Sequence, residues 1–209
     1  MNQFDQFQNA LSLETVTENI YSINPDSRYF VGKTPHGGYL NALMHKALIS
    51  SVPHSVAISS SIQYLDRIEA KDITLEVEIF TVSRGTSSGI VKLIQDNKIC
   101  AVFNAICSDL EHMKGYDGLE TNPPETMKEI PREKYRDLNY DKISPGLTPS
   151  FIHQLSCTVH PSHAWWDRDI DIKDAEARCS SYMQMDGGIP DQFVLSFYDC
   201  FFWGYVFFC

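Results

Sequence analysis

The chain has 209 residues, of which 43% are hydrophobic and 21% are charged. These proportions are ordinary for a globular protein and exclude a disordered, collagen-like or coiled-coil chain. The 17 basic residues are outnumbered by 27 acidic ones, and no basic stripe offsets the net charge of −10. We therefore expect no nucleic acid among the partners of this chain.

The first predicted elements are a short helix and a strand. Phe4, Phe7 and Leu11 have the spacing of an amphipathic helix. Loose alternation over Glu14–Ile23 predicts one strand, which ends at a turn over residues 24–26.

A long helix follows residues 35–38 and ends near Pro53. Its apolar residues recur at i, i+3, i+4, i+7 and i+8, so they form one stripe that we expect to be buried against a sheet. The stripe consists of Leu40, Leu43, Met44, Ala47 and Leu48.

Four strands come next, over Val56–Asp66, Asp72–Ser83, Ser88–Gln95 and Ile99–Asp109. The second of them alternates apolar and polar residues with a period of two, which is typical of a half-buried strand. Because the connections are short, the four strands predict an antiparallel meander.

The second half repeats the beginning of this order. Residues 111–148 are rich in proline, glycine and charge and predict a linker between residues 1–110 and residues 149–209. Strand-like runs at Phe151–Pro161 and Ala175–Gln184 then precede a helix at Pro190–Trp203. The four strands that would complete a second copy do not follow, so we expect this unit to be incomplete.

The last 17 residues, FVLSFYDCFFWGYVFFC, are the most apolar segment of the chain. They are compatible with a short membrane anchor or with a buried helix. The segment is shorter than the ~20 residues of a usual span, and Asp199 near its centre opposes insertion by about 3 kcal/mol. We therefore expect no membrane span.

Six cysteines are scattered without a C-x-x-C pair, and the first ten residues lack the features of a secretory leader. This combination predicts reduced thiols and a cytoplasmic location.

The string PHGGYLNALMHKAL, together with the four strands after it, resembles acyl-CoA thioesterases with a double hotdog fold. The resemblance implies an α+β fold in which each antiparallel sheet wraps around a long helix. It implies an acyl-CoA or acyl-carrier thioester as partner and no cofactor or metal. It also implies that Asp199 matches a catalytic aspartate on the second helix of medium-chain thioesterases. The threonine and glutamine that assist that aspartate have no counterparts here, so the chain resembles a truncated or degenerate member.

Thioester hydrolysis requires an oriented water and a donor for the developing oxyanion. His36, Gly37 and Gly38 begin the long helix, where backbone N–H groups and the helix dipole favour negative charge. These three residues either bind the oxyanion and substrate or only cap the helix. Asp199 is either the carboxylate that orients water or an exposed residue on a helix face.

Four other motifs are set aside. Residues 85–89 spell G-x-S-x-G, but strands on both sides predict a hairpin, not the strand-turn-helix elbow of a serine hydrolase. His160 and His163 make only half a zinc site, and the acidic run at 167–174 lacks the glycine and glutamate of a calcium loop. Trp165 and Trp166 either line an acyl pocket or cover the edge of a core.

Two functions remain open from the sequence. The first is a hydrolase that cleaves an acyl thioester by water activation. The second is a non-catalytic hotdog protein that binds an acyl group or a partner. Because an incomplete second unit leaves a strand edge and an aromatic helix uncovered, we also expect self-association.

Overall fold

The structure is a computed structural model that describes residues 1–112, 131–138, 148–161, 164 and 181–199. The helices among these residues are α1 (Gln3–Ala10), α2 (Gly37–Ser51) and α3 (Gln192–Asp199). Short 3₁₀ turns lie at Ser27–Tyr29, Leu110–His112, Arg132–Lys134 and Ser150–Gln154.

The strands of the described residues fall into three sheets. The largest consists, in chain order, of β1 (Glu14–Thr17), β2 (Ile20–Ile23), β5 (Val56–Tyr64), β6 (Ile73–Val82), β7 (Ser87–Gln95) and β8 (Lys98–Ser108). These six strands are antiparallel and lie in the order β1-β2-β6-β7-β8-β5. A two-stranded ribbon consists of β3 (Phe30–Val31) and β4 (Thr34–Pro35). A three-stranded sheet consists of β9 (Arg136–Asp137), β10 (Ser156–Val159) and β11 (Ser181–Gln184).

The long helix α2 packs on the inner face of the six-stranded sheet, as its apolar stripe predicts. Leu40 is 2% exposed, and the other four residues of the stripe are completely buried. On the sheet side, β7 alternates strictly between buried and half-buried residues, which is the pattern of a strand with one covered face. The prediction that an antiparallel sheet wraps around this helix is confirmed.

The predicted meander is wrong for its first strand. β5 pairs with β8 and not with β6, so only β6, β7 and β8 follow one another as hairpins. The chain after β5 crosses the end of the sheet, where Leu65 N–H donates to Cys100 O. The buried Gln95 side chain holds this crossing segment through hydrogen bonds to both backbone groups of Glu69. These contacts hold the segment that carries the chain from β5 across to β6.

The predicted strand at Glu14–Ile23 is a hairpin of two strands. β1 and β2 pair with each other, and Asn19 between them has φ of 60°. Asparagine tolerates this left-handed conformation better than most residues. A turn at this position therefore divides a run that looks continuous in the sequence.

The second part of the chain contains a small sheet and then a helix. The first residues of the predicted strand at Phe151–Pro161 form a 3₁₀ turn, and β10 is the strand that follows. β9, which lies within the predicted linker, pairs with β10. His163, Trp165, Trp166, the acidic run and residues 200–209 lie outside the described residues. No helix among those described is long and apolar enough to span a membrane.

Candidate functional site at the start of helix α2

His36 is the N-cap of α2. Its Nδ1 accepts a hydrogen bond from Gly38 N–H at 3.1 Å, and its own backbone N–H donates to Tyr29 O at 2.9 Å. An N-cap side chain satisfies one of the backbone donors that the first helical turn leaves without a carbonyl partner. His36 therefore caps the helix through its contact with Gly38, which is one of the two roles considered for it.

The His36 ring lies among aromatic side chains. Its centroid is 4.2 Å from that of Phe151 and 5.3 Å from that of Phe197. Burial lowers the pKa of His36 to about 4, so the ring is neutral near pH 7. Because Nδ1 accepts a hydrogen bond, the single proton of the neutral ring lies on Nε2.

Gly37 and Gly38 differ in what surrounds them. A Cβ atom at Gly37 would lie 3.1 Å from the Tyr64 hydroxyl, which donates to Gly37 O at 2.6 Å. A Cβ atom at Gly38 would lie 2.1 Å from the backbone oxygen of Phe197. Only glycine at position 38 permits this approach of α3 to α2.

The two helices run antiparallel along each other. Near the start of α2, Gly38 contacts Phe197, and one turn further on Asn41 contacts Ser196. Near the start of α3, the Phe193 ring packs 5.1 Å from the His45 ring. The N-terminal end of α2 therefore lies beside the C-terminal end of α3.

Asp199 is the last residue of α3, two positions after Phe197. The structure therefore brings the backbone of this predicted catalytic residue to the end of the helix pair that contains His36, Gly37 and Gly38. The Asp199 side chain lies outside the described part of the chain.

The side chains between the helices were not predicted as functional residues. Asn41 and His45 lie one turn apart on α2 and are buried, with exposures of 6% and 4%. Both bond to Ser196. The available signal in the sequence is two polar residues at i and i+4 on a largely apolar helix.

The G-x-S-x-G motif is part of a β-hairpin, as predicted. Ser87 is the first residue of β7 and is completely buried. Its hydroxyl bonds to His54 Nδ1 at 2.6 Å, so the pair joins the sheet to the chain just after α2. A serine without solvent exposure is not accessible to a substrate in this conformation.

A metal site is absent from the described residues, where no three potential ligands come together. His160 is buried and packs against the ring of Tyr135. A surface depression at the other end of the sheet, lined by Ser55, Asp109 and Glu111 among others, does not include the start of α2.

Residues 25–108 match the family model of the acyl-CoA thioesterase N-terminal domain. The matched region contains α2 and the strands β5 to β8, and it is less than half of the chain. The predicted resemblance to acyl-CoA thioesterases is confirmed for this region. No curated protein matches the sequence.

Solved structures extend the comparison beyond that region. A protein assigned as thioesterase II from Thermobifida fusca is 18% identical, with a TM-score of 0.74 over 93% of this chain and 70% of its own. A conserved protein of unknown function with a hot dog fold, from Alicyclobacillus acidocaldarius, is 16% identical, with a TM-score of 0.75 over 94% and 69%. An acyl-CoA thioesterase II from Mycobacterium marinum is 13% identical, with a TM-score of 0.60 over 94% and 64%.

The chain has a hotdog fold. At these identities the solved structures establish the architecture and not the activity. Because they cover more than nine tenths of this chain, the likeness is not confined to residues 25–108.

Proposed function

We propose that this chain is an acyl-CoA thioesterase-like hydrolase, acting on an acyl thioester of coenzyme A or of an acyl carrier. The observation that carries the proposal is the packing of α2 against α3, which places the start of α2 beside the backbone that leads to Asp199. The match of residues 25–108 to the acyl-CoA thioesterase N-terminal domain supports the same chemistry.

In the proposed reaction, the Asp199 carboxylate orients a water molecule and accepts its proton as the water attacks the thioester carbon. The negative charge that develops on the thioester oxygen is stabilised by Gly37 N–H and by the positive end of the α2 dipole. The oxyanion then collapses and the carbon–sulfur bond breaks. The thiolate takes the proton from Asp199, so that thiol and carboxylic acid are released and the Asp199 carboxylate is restored.

In this proposal His36 and Gly38 shape the start of α2 and do not themselves bind the oxyanion through the Gly38 N–H group. Gly38 N–H already donates to His36 Nδ1, so His36 holds the first turn in place and keeps one donor engaged. Gly38 permits the close approach of α3. The neutral His36 ring retains an Nε2–H donor, which adds to the polar groups at this end of the helix.

A non-catalytic acyl-binding or partner-binding protein is the second candidate. The observation that favours it is the same capping interaction, since His36 and Gly38 both have structural contacts at the position where an oxyanion site is expected. The two candidates differ in whether the chain releases free thiol from acyl-CoA.

The deciding experiment measures thiol release from a series of acyl-CoAs by the 209-residue chain. We expect Asp199→Asn to lower turnover by about 10²- to 10⁴-fold with little change in KM, because a positioned base is lost while acyl binding is retained. Ser87→Ala is the matched control and should leave turnover nearly unchanged, since Ser87 is buried against His54.

One result would contradict the hydrolase proposal, and another would contradict its mechanism. If the wild-type chain binds acyl-CoA without releasing thiol, the binding function replaces it. If activity survives Asp199→Asn and disappears with Ser87→Ala, a serine nucleophile replaces the activated water.

We further propose that residues 1–110 form one hotdog unit and that residues 149–209 belong to a second, the two being joined by residues 111–148. The similarity of α2 and α3, which pack antiparallel and are each capped by a side chain, supports this division. The Asp191 side chain accepts hydrogen bonds from two backbone N–H groups at the start of α3, and the His36 side chain accepts one at the start of α2. Self-association and a cytoplasmic location stay predictions from the sequence.

A further inference from the structure

The contact between α2 and α3 is polar at its centre. Ser196 on α3 is 8% exposed and makes two hydrogen bonds to α2. Asn41 Nδ2 donates to Ser196 O at 3.0 Å, and His45 Nδ1 bonds to Ser196 Oγ at 2.8 Å. One residue of α3 is therefore held through its backbone and its side chain at once.

The protons of this cluster can be assigned. Ser196 Oγ donates to the Gln192 backbone oxygen at 3.0 Å, so its only proton is engaged within α3. Ser196 Oγ must then accept from His45, which places the imidazole proton on Nδ1. Burial lowers the pKa of His45 to about 4, against smaller opposing effects of Gln192 and Asp191, so this neutral form prevails near pH 7.

The imidazole cannot turn freely to follow a displaced serine. Its centroid is 5.8 Å from that of Phe103 on β8 and 5.1 Å from that of Phe193 on α3. The Lys46 ammonium lies 4.7 Å from the centroid of the same Phe193 ring. The donor direction of His45 is thus set by the sheet and by both helices.

We propose that Asn41, His45 and Ser196 form a register lock, in which α2 fixes the axial position and rotation of α3 and thereby positions Asp199. The inference rests on the proposed function, because it concerns the presentation of the proposed carboxylate. A shift of α3 by one residue would move Ser196 by about 1.5 Å and rotate it by about 100°, which would break both hydrogen bonds.

The lock contains a buried polar atom that lowers stability, which favours a role in positioning α3 over a role in stabilising the fold. Asn41 Oδ1 is buried and accepts no hydrogen bond from the described residues. An apolar side chain at position 41 would avoid the loss of hydration that this oxygen suffers. A buried polar cluster that costs stability is a known means of selecting one register among several.

Asp199 is close enough to Ser196 for such a register to matter. It lies three residues further along α3, about 4.5 Å along the helix axis. Within a rigid helical turn, an error in the position of Ser196 is transmitted to Asp199. Misplacement of a reacting group by about 1 Å can lower a rate by about 100-fold.

The test compares Ser196→Ala, His45→Asn and His45→Gln in the full chain. The asparagine amide nitrogen occupies nearly the place of Nδ1, whereas the glutamine amide reaches toward the place of Nε2. We expect Ser196→Ala and His45→Gln to lower kcat for acyl-CoA about 10- to 100-fold with KM within about twofold. His45→Asn should restore most of the wild-type kcat.

Hydrogen exchange supplies a readout that does not require activity. The amides of residues 193–199 should exchange faster in Ser196→Ala and His45→Gln than in the wild type or in His45→Asn. The buried amides of β7 and β8 should be unchanged. Ser87→Ala, which removes a buried hydrogen bond at the opposite end of α2, should leave exchange in residues 193–199 unaltered.

The lock is disproved if both His45 variants behave alike, or if exchange in residues 193–199 is unchanged by Ser196→Ala. It is also disproved if kcat falls only in proportion to a general loss of stability. A wild-type chain without thioesterase activity would refute the proposed function, and hydrogen exchange would still decide whether the lock exists.

Discussion

Gly38→Ala tests whether the close contact between α2 and α3 depends on glycine. The added Cβ would lie 2.1 Å from Phe197 O, and real Cβ contacts essentially never fall below 3.0 Å. The obstacle is backbone, which cannot rotate away as a flexible side chain can. α3 must therefore retreat by about 1 Å, a shift that also disturbs the packing of Phe197 against Phe7 and Tyr29.

Two effects of opposite sign determine how far Gly38→Ala changes the free energy of unfolding. Overpacking of a buried contact costs about 1–3 kcal/mol. Alanine in a helix is more favourable than glycine by at most about 1 kcal/mol, and less in the first turn, where fewer hydrogen bonds depend on it. We therefore expect Gly38→Ala to lower the free energy of unfolding by about 1–2 kcal/mol.

Gly37→Ala is the matched control, because it adds the same methyl group one residue earlier. The nearest atom to its Cβ is the Tyr64 hydroxyl at 3.1 Å, and Tyr64 is an exposed side chain that can move. We expect its free energy of unfolding to stay within about 0.5 kcal/mol of the wild-type value.

Urea unfolding followed by circular dichroism measures all three proteins under one condition. The reasoning fails if Gly38→Ala is as stable as Gly37→Ala with the same dependence on denaturant. It also fails if Gly38→Ala loses stability while exchange in residues 193–199 stays as slow as in the wild type.

Two further predictions concern the core and the buried histidines. Leu43→Ala should lower the free energy of unfolding by about 2–5 kcal/mol, because Leu43 is completely buried between α2 and the sheet; a loss below about 1 kcal/mol in urea unfolding would show that the site collapses or is less packed than described. His36 and His45 have folded-state pKa values of about 4 against 6.5 in the unfolded chain, so the unfolded state binds more protons between these values. The free energy of unfolding should therefore fall as the pH is lowered from about 6.5 to about 4, by about 1.4 kcal/mol per pH unit for each histidine. His45→Asn should reduce this slope by about half, and an unchanged slope would contradict the burial of His45.

Helix α2 and strands β5 to β8 were predictable because their hydrophobic periods are dense and uninterrupted. The stripe on α2 and the alternation in β6 each contain enough apolar residues to decide between helix and strand. The order of strands was not predictable in the same way. The pairing of β5 with β8 and the hydrogen bonds of Gln95 to the crossing segment join residues far apart in the sequence, which a local pattern does not reveal.

The candidate site was only partly predictable for a related reason. The motif around His36 marks the start of a helix, and the structure confirms that start. A motif does not show which N–H group is already engaged, and His36 Nδ1 engages that of Gly38. The proposed role of Asn41 and His45 depends on their hydrogen bonds to Ser196, which lies more than 150 residues away along the chain.

Gly38 and the register lock constrain different aspects of the same helix pair. The glycine lets the helices approach, and its contact with Phe197 sets their separation. That one contact leaves α3 some freedom to turn about its own axis, which the ring packing of Phe197 and Phe193 limits. The directional hydrogen bonds to Ser196 remove that freedom. A carboxylate at the end of such a helix is placed by two rigid elements and not by a loop, which is the arrangement that precise positioning of a reacting group requires. The same reasoning explains why polar side chains remain inside a contact that apolar ones would stabilise more.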